Sequence, residues 1–367
     1  MSGLLSGPPL EAGFPATWPR DTEVPRSRPP SQRQGWKVIR MRHLLTFLRS
    51  AFARALISLG LVMLLGAICN ADGAFLQWET HRDMLRQISV YGILACGMTL
   101  VIITAGIDLS VGSILGLVAV LFSLVTLRWG WPPALGIAAC LLAGAACGAV
   151  SGGAIAGFGV QPFIATLAMM VFARGLAKFA SGGQKVSTAV QQADGTYQYV
   201  EVPAIFNDIS AKVLHDNVAV VTLILLACLL LCGVLLGRLR WGRYLYAIGG
   251  NEEAARLSGL PVAAMKVLAY SLSGLFCAVA GICQAAQELQ GDPEAGSTYE
   301  LNAIAIVVIG GTSLRGGRGG ILLTLLGILT IGYLEKILSI NAVGEASRLM
   351  LTGAIIVGAV LFQRGRK

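Results

Sequence analysis

Ten apolar runs, most of them long enough to cross a membrane, follow one another between residues 51 and 363. A helix needs about 20 apolar residues to cross the roughly 30 Å hydrocarbon core of a bilayer. Only 13% of the 367 residues are charged, against roughly 25% in soluble domains. The sequence therefore predicts an all-α, polytopic membrane protein of about ten transmembrane helices, at 51–70, 87–106, 109–127, 132–156, 160–180, 217–237, 264–287, 301–314, 319–338 and 348–363.

Basic residues are distributed unevenly between the two sides that ten spans would define. With the amino terminus in the cytoplasm, nineteen of the 28 lysines and arginines fall on the inside, up to Arg54, in 238–266, in 315–318 and in 364–367. Cytoplasmic segments of membrane proteins are enriched in these residues, so both termini are predicted to be cytoplasmic. The net charge of +9 follows this pattern and does not indicate nucleic-acid binding.

Residues 1–42 differ from the rest of the chain because they hold seven of its 13 prolines and few large aliphatic residues. This composition predicts a disordered, basic cytoplasmic tail, followed by a membrane domain over 43–367. The longest cytoplasmic segment of that domain is 238–263, and its longest periplasmic loop is 181–216. The periplasmic loop is interpreted either as a solvated connector or as a contact for a soluble partner.

A short polar segment lies between two long apolar runs and has the signals of a separate helix. Asn251 is a favoured N-cap, and Glu252 and Glu253 then lie at the positive end of the helix dipole. Arg256 follows Glu252 by four residues, the favourable order for an ion pair, and Gly259 is a C-terminal stop. The helix is either an ordinary solvated loop helix or a docking element for a soluble partner, and its cytoplasmic placement favours docking. The candidate docking residues are Gly250, Asn251, Glu252, Glu253, Ala254, Arg256, Ser258 and Gly259.

Polar residues interrupt the apolar pattern at two places in the first half of the chain. A carboxylate at bilayer depth costs roughly 2.5–3.5 kcal/mol, so Asp108 needs a compensating role. Either Asp108 or Ser110 caps the next span, or this break lines a hydrophilic path, as discontinuous helices do in transporters. Pro162 predicts the first turn of a helix. The candidates for lining a path are Asp108, Ser110, Ser113, Gln161, Thr166 and Asn302.

Glycines end the regular helix pattern after the eighth run, 301–314, which is short enough to be a half-helix or a re-entrant segment. Six glycines within eleven residues predict a re-entrant turn at the cytoplasmic surface, and its arginines meet either an acidic partner or lipid phosphates. The candidate turn residues are Gly310, Gly311, Arg315, Gly316, Gly317 and Arg318. Glycines at four-residue spacing elsewhere predict close helix packing, namely Gly144, Gly148 and Gly152, and Gly153 with Gly157.

Motifs for nucleotide binding or catalysis are missing from the sequence. There is no GxxxxGK[ST], HExxH or GxSxG, and none of the eight cysteines forms a CxxC pair. The chain is therefore not expected to be an enzyme, and no metal or cofactor is expected to bind to it. If transport is driven by ATP, another subunit must hydrolyse it.

Four motifs in order resemble the ribose/xylose-type permeases of bacterial ABC sugar importers. They are GIDLSVGS (106–113), VQPFIATLAMM (160–170), GGNEEAARLSGL (249–260) and YELNAIAIVVIGGTSLRGGRGG (299–320). The resemblance implies a homodimer or heterodimer in the inner membrane, a cytoplasmic ATPase that holds ATP and Mg, and a periplasmic sugar-binding protein. It also implies that 249–260 is the coupling helix. Two departures are Asn302, where the family usually has aspartate, and Arg315, where a small or apolar residue is more usual.

Two other functions remain open at this point. A stand-alone secondary transporter needs intramembrane ionisable residues for ion coupling, and Asp108 is the clear candidate. A related ABC permease for another cargo, such as a nucleoside or a branched-chain amino acid, would share the same architecture.

Overall fold

The protein is described by a computed structural model that covers residues 50–191 and 196–364, all within the compact unit Leu48–Lys367. The predicted tail, 1–42, lies outside the described residues. The described helices are α1 (Ala51–Ile68), α2 (Trp78–Ile103), α3 (Val111–Ser123, continued by the π-helical turn Leu124–Arg128), α4 (Pro133–Gly157), α5 (Pro162–Ser181), α6 (Ala204–Ser210), α7 (Val220–Gly237), α8 (Arg240–Gly250), α9 (Glu252–Leu257), α10 (Val262–Glu288), α11 (Tyr299–Gly310), α12 (Ile321–Ile340) and α13 (Glu345–Arg364), with a 3₁₀ turn at Ala74–Leu76.

Eight of these helices are long and apolar enough to cross a membrane: α1, α2, α3 with its π turn, α4, α5, α7, α10 and α12. The prediction of an all-α, polytopic membrane protein is confirmed. The eighth predicted run forms the twelve-residue helix α11, and the tenth forms α13. Helix α2 begins nine residues before the predicted position 87, because its first turns are amphipathic and carry an ion pair of 3.0 Å between Arg82 and Glu79.

The segment 238–263, which is predicted to be cytoplasmic, contains a helix that the sequence analysis missed. Helix α8 buries Leu245 and Ile248 on one face and leaves Trp241 and Arg243 exposed on the other. Its apolar positions are too few for a spanning run, so a search for apolar runs passes over it.

Short strands pair in the loops at the end of the bundle opposite α8. Strand β1 (Val186–Ser187) pairs antiparallel with β6 (Gln290–Gly291). The other pairs are β2 (Ala189–Gln191) with β3 (Tyr197–Tyr199), and β4 (Lys212–Val213) with β5 (Val218–Ala219). The predicted loop 181–216 therefore holds a hairpin and helix α6, and β1 ties it to the segment after α10.

Helices α2 and α3 lie in the interior, and α10 packs along α4. A Cβ at Gly144, Gly148 or Gly152 would overlap atoms of α10, so these glycines let the two helices approach closely, as predicted. For Gly153 and Gly157 the described residues show no such contact, since a Cβ there would meet no described atom within 4 Å, and their packing stays a prediction. These two glycines lie on a different part of the helix surface from the packed stripe.

The loops that connect the helices lie at the two ends of the bundle. One end, called the α9 end, contains α9, the last turn of α2, the linker between α4 and α5, and the turn between α11 and α12. The other end, called the far end, contains the strand pairs. There the Arg128 side chain donates to the carbonyl oxygen of Ala189 at 3.3 Å, and Asn341 donates to that of Cys69 at 2.9 Å.

Candidate coupling and translocation site

Helix α9 has the local geometry predicted for the polar segment. The Asn251 side chain caps it by accepting a hydrogen bond of 3.0 Å from the backbone N–H of Ala254. Arg256 pairs with Glu252 at 3.1 Å, and Gly259 ends the helix with a left-handed φ of 78°. The capping, the ion pair and the glycine stop are confirmed, while the docking role of these residues stays a prediction.

The two glutamates of α9 have different surroundings. Glu252 also pairs with Lys266 of α10 at 2.7 Å, and the Lys266 side chain is only 16% exposed. Glu252 therefore fixes α9 to the start of α10. Glu253 is exposed, and so is Leu257, at 80% of its surface.

Leu257 was not among the candidate docking residues. Single exposed apolar side chains are common on protein surfaces, so its type alone gave no signal. Together with Glu253 and Ser258, Leu257 gives α9 an exposed surface that combines an apolar, an acidic and a hydroxyl side chain.

A cavity of about 780 Å³ lies beside α9. Its walls come from the linker between α4 and α5 and from the segment joining α9 to α10, and they include Gln161, Glu252, Arg256 and Lys266. Gln161 is the residue before α5, whose first residue is Pro162, as predicted. The structure places Gln161 at the α9 end, in the wall of this cavity.

Backbone contacts join the end of α8, directly before α9, to the break after α2 and to the glycine-rich turn after α11. The N–H of Gly317 donates to the carbonyl oxygen of Ile103, the last residue of α2, at 2.9 Å. A Cβ at Gly249 would lie 2.6 Å from the Gly317 nitrogen, and one at Gly316 would lie 2.8 Å from the Gly249 oxygen. We call Ile103, Gly249, Gly250, Gly316 and Gly317 the glycine junction.

The predicted glycine-rich turn connects α11 to α12 at this junction. Gly310 ends α11 against Leu323 of α12, and Gly311 follows with a left-handed φ of 105°. The N–H of Ser313 donates to the carbonyl oxygen of Arg318 at 2.9 Å and closes the turn. Arg315 and Arg318 are both exposed at the α9 end.

The break between α2 and α3 holds Asp108 in the protein interior, where the residue is 1% exposed. Its Oδ1 accepts from the N–H and hydroxyl of Ser110 at 3.0 and 2.6 Å, and its Oδ2 accepts from the Ser273 hydroxyl at 2.8 Å. Ser110 is the N-cap residue of α3, but no side-chain capping bond forms there. The capping interpretation is corrected: Asp108 ties the break to the middle of α10.

Two other predicted path residues lie near this break. The Thr166 hydroxyl is 2.9 Å from the Pro162 carbonyl oxygen and 3.4 Å from that of Ile107. Ser113 is buried in the first turn of α3. The structure thus brings Asp108, Ser110 and Thr166 together, and Asn302 lies elsewhere, beside Tyr91 of α2. Whether any of them lines a path stays a prediction.

The amino-terminal ends of α3 and α11 meet inside the bundle. A Cβ at Gly112 would lie 2.8 Å from Oε2 of Glu300 and closer still to the Gly296 carbonyl oxygen. The Glu300 carboxylate therefore lies over the first turn of α3, where the helix dipole favours negative charge. Arg174 of α5 holds the chain before α11 by donating to the carbonyl oxygens of Pro293 and Ala295, the latter at 2.8 Å.

Ion pairs fasten the same segment at the far end. Lys178 pairs with Glu294 at 2.5 Å, and Lys185 pairs with Asp292 at 2.9 Å. Partial burial alone would raise the pKa of Asp292, but the Glu294 N–H and the Lys185 ammonium hold this pKa below its usual value. The hydrogen bond to Asp292 in turn raises the pKa of Lys185.

Across residues 50–191 and 196–364, no group of three or more histidine, cysteine, aspartate or glutamate side chains is placed to hold a metal ion. Seven of the eight cysteines are buried or half-buried free thiols, and Cys69 is exposed. The expectations that no metal and no cofactor bind to this chain remain predictions.

Comparison with known proteins identifies the family. Residues 82–360 match a family model described as "Branched-chain amino acid transport system / permease component". The chain belongs to this family. It is therefore a multi-pass membrane protein of a permease family, and no solved structure matches it.

Three relatives in this family are named for sugars. The ribose import permease protein of Escherichia coli (strain K12) is 38% identical over 304 residues, covering 83% of this chain and 91% of that protein. The fructose import permease protein of Rhizobium meliloti is 37% identical over 290 residues, 78% of each chain. The xylose transport system permease protein of Escherichia coli (strain K12) is 33% identical over 345 residues, 81% of this chain and 88% of that protein.

Proposed function

We propose that the chain is the membrane-spanning permease subunit of an ATP-binding-cassette importer for a monosaccharide. It works in the bacterial inner membrane by alternating access, with both termini in the cytoplasm. A separate cytoplasmic ATPase, which carries ATP and Mg, drives it, and a periplasmic binding protein delivers the sugar. Two permease subunits, identical or homologous, form the membrane unit.

The observation that carries this proposal is the placement of α9. Helix α9 is short, capped and exposed at Glu253 and Leu257, and the pair of Glu252 with Lys266 fixes it to α10. The glycine junction connects the last two residues of α8, which directly precede the N-cap of α9, to the end of α2 and to the turn after α11. A force applied to α9 would therefore reach the break between α2 and α3 and the turn between α11 and α12.

The sugar cargo is supported by the relatives, which are named for ribose, fructose and xylose. The stand-alone secondary transporter is not favoured. Its candidate coupling group, Asp108, already accepts three hydrogen bonds from serine groups. A carboxylate held in this way is suited to fixing the break and less to exchanging ions.

The test is a variant that changes the exposed surface of α9 and leaves its attachment intact. Glu253→Lys combined with Leu257→Asp avoids Glu252, which also holds Lys266. We expect at least a tenfold loss of co-purifying ATPase and of sugar uptake, with normal insertion of the chain into the membrane. The matched control is Glu201→Lys, an exposed charge reversal at the far end, which should leave co-purification of the ATPase unchanged. Normal uptake and complex formation by the double variant would contradict the proposal.

A further inference from the structure

Five polar side chains from four helices, Asn302 among them, lie close together. The rings of Tyr91 in α2 and Tyr299 in α11 lie 4.3 Å apart between centroids, tilted by 37°. Tyr91 interacts with Asn302, Tyr299 interacts with Gln284 of α10, and Glu335 of α12 lies within electrostatic reach of both tyrosines. We call these five residues the outer polar cluster.

The cluster lies within the depth of the membrane. Helix α11 has twelve residues, so it is about 18 Å long and covers little more than half of a roughly 30 Å hydrocarbon core. Its last residue, Gly310, packs on Leu323 near the start of α12, and Ile306 packs on Gly327. The two helices are therefore antiparallel, and Tyr299 lies near the level of Glu335, about 21 Å along α12.

All five side chains are half-buried. Polar groups that face lipid are costly, and a carboxylate at bilayer depth costs roughly 2.5–3.5 kcal/mol even on lenient scales. The open sides of these groups are therefore unsuited to lipid and suited to water or a polar ligand. Gln284 also donates to Glu288 at 2.5 Å, which extends the polar groups to the exposed end of α10.

The chemistry of the cluster matches a neutral polyhydroxylated ligand. Phenol hydroxyls and side-chain amides both donate and accept hydrogen bonds, as sugar hydroxyls do, and a carboxylate accepts from two hydroxyls. The two tyrosine rings add flat apolar faces of the kind that cover the C–H face of a sugar ring. Arg348 of α13 lies within electrostatic reach of Glu335, so the negative charge of the cluster is balanced nearby and a neutral ligand is favoured.

We propose that Tyr91, Gln284, Tyr299, Asn302 and Glu335 form a monosaccharide-contacting site on the translocation path, in the half of the membrane nearer the far end. This proposal rests on the proposed function and adds four residues that the sequence analysis did not connect. The amino terminus of the half-helix α11 places Tyr299 and Asn302 in the site, and α2, α10 and α12 provide its walls.

The experiment uses the full chain, reconstituted in proteoliposomes with its ATPase and binding protein. Uptake of radiolabelled D-ribose, D-xylose and D-fructose is measured together with ATP hydrolysis. Tyr91→Phe and Tyr299→Phe each remove one hydroxyl and keep the ring, so each is expected to lower uptake about three- to tenfold. Because ATP hydrolysis continues, the number of ATP molecules used per sugar should rise by the same factor.

Tyr333→Phe is the matched control, because its hydroxyl contacts His81 at 3.2 Å outside the cluster, and it should leave uptake unchanged. Asn302→Leu, similar in volume, provides a second variant if a tyrosine variant fails to accumulate. Unchanged uptake by these variants, or an equal fall in uptake and ATP hydrolysis, would overturn the site and leave the proposed function standing. A wild-type complex that carries none of the three sugars would overturn both.

Discussion

Replacing Gly249 by alanine tests the glycine junction most directly. The added Cβ would lie 2.6 Å from the Gly317 nitrogen and closer still to the Ile103 carbonyl oxygen. Real Cβ atoms do not approach backbone atoms so closely, so Ile103 and Gly317 must move apart around the added methyl group. That displacement breaks the 2.9 Å hydrogen bond between them.

The expected cost follows from these contacts. Overpacking costs about 1–3 kcal/mol, and a buried amide left unpaired costs about 1–3 kcal/mol more. The better helix propensity of alanine offsets about 1 kcal/mol. We expect Gly249→Ala to lower the free energy of unfolding by about 3 kcal/mol, within a range of about 1–5 kcal/mol.

The assay is a denaturant titration of the detergent-solubilised chain, followed by uptake and ATP hydrolysis in the reconstituted complex. Gly250→Ala is the matched control, since a Cβ there meets no described atom within 4 Å. It should be neutral or slightly stabilising. In the complex, Gly249→Ala should hydrolyse ATP with little uptake. Equal stabilities for the two variants, or full coupling by Gly249→Ala, would refute the reasoning.

Two further predictions concern the break and the far end. Ser273→Ala removes the donor to Oδ2 of Asp108 and should destabilise the chain by about 1–3 kcal/mol in the same titration, whereas Ser271→Ala, two residues earlier, should change it little. Because the folded-state pKa of Asp292 is lowered, its pair with Lys185 contributes stability above about pH 4, and this contribution disappears as the pH falls through the folded-state pKa. The melting temperature of Asp292→Asn should therefore fall less on acidification than that of the wild type, and parallel curves would contradict this.

The sequence was sufficient for the elements whose causes are local. Apolar runs of the right length predicted the spans, and the capping signals around Asn251 and Gly259 predicted helix α9 correctly. Glycine spacing predicted the packing of α4 on α10 for Gly148, but not that a Cβ at Gly153 would meet no described atom within 4 Å, because a spacing alone does not say which face meets a neighbour.

Contacts between distant parts of the chain could not be predicted in the same way. Capping of the next helix by Asp108 or Ser110 was one of the two roles expected for this break, and the Asp108 partner Ser273 lies 165 residues away. The outer polar cluster joins residues between Tyr91 and Glu335, most of which lie far apart in the sequence. Only the packing of the helices brings them together.

The central claim is that α9 faces the cytoplasm, where an ATPase can reach it, and that the far end faces the periplasm. It is tested by cysteine labelling with a membrane-impermeant maleimide in intact spheroplasts and in inside-out vesicles. Cys69, the exposed native cysteine, is first changed to serine, and Glu253→Cys and Tyr199→Cys are then made separately. We expect position 253 to be labelled only in inside-out vesicles and position 199 only in spheroplasts. Labelling of position 253 in spheroplasts and not in vesicles would contradict the topology and the coupling mechanism built on it.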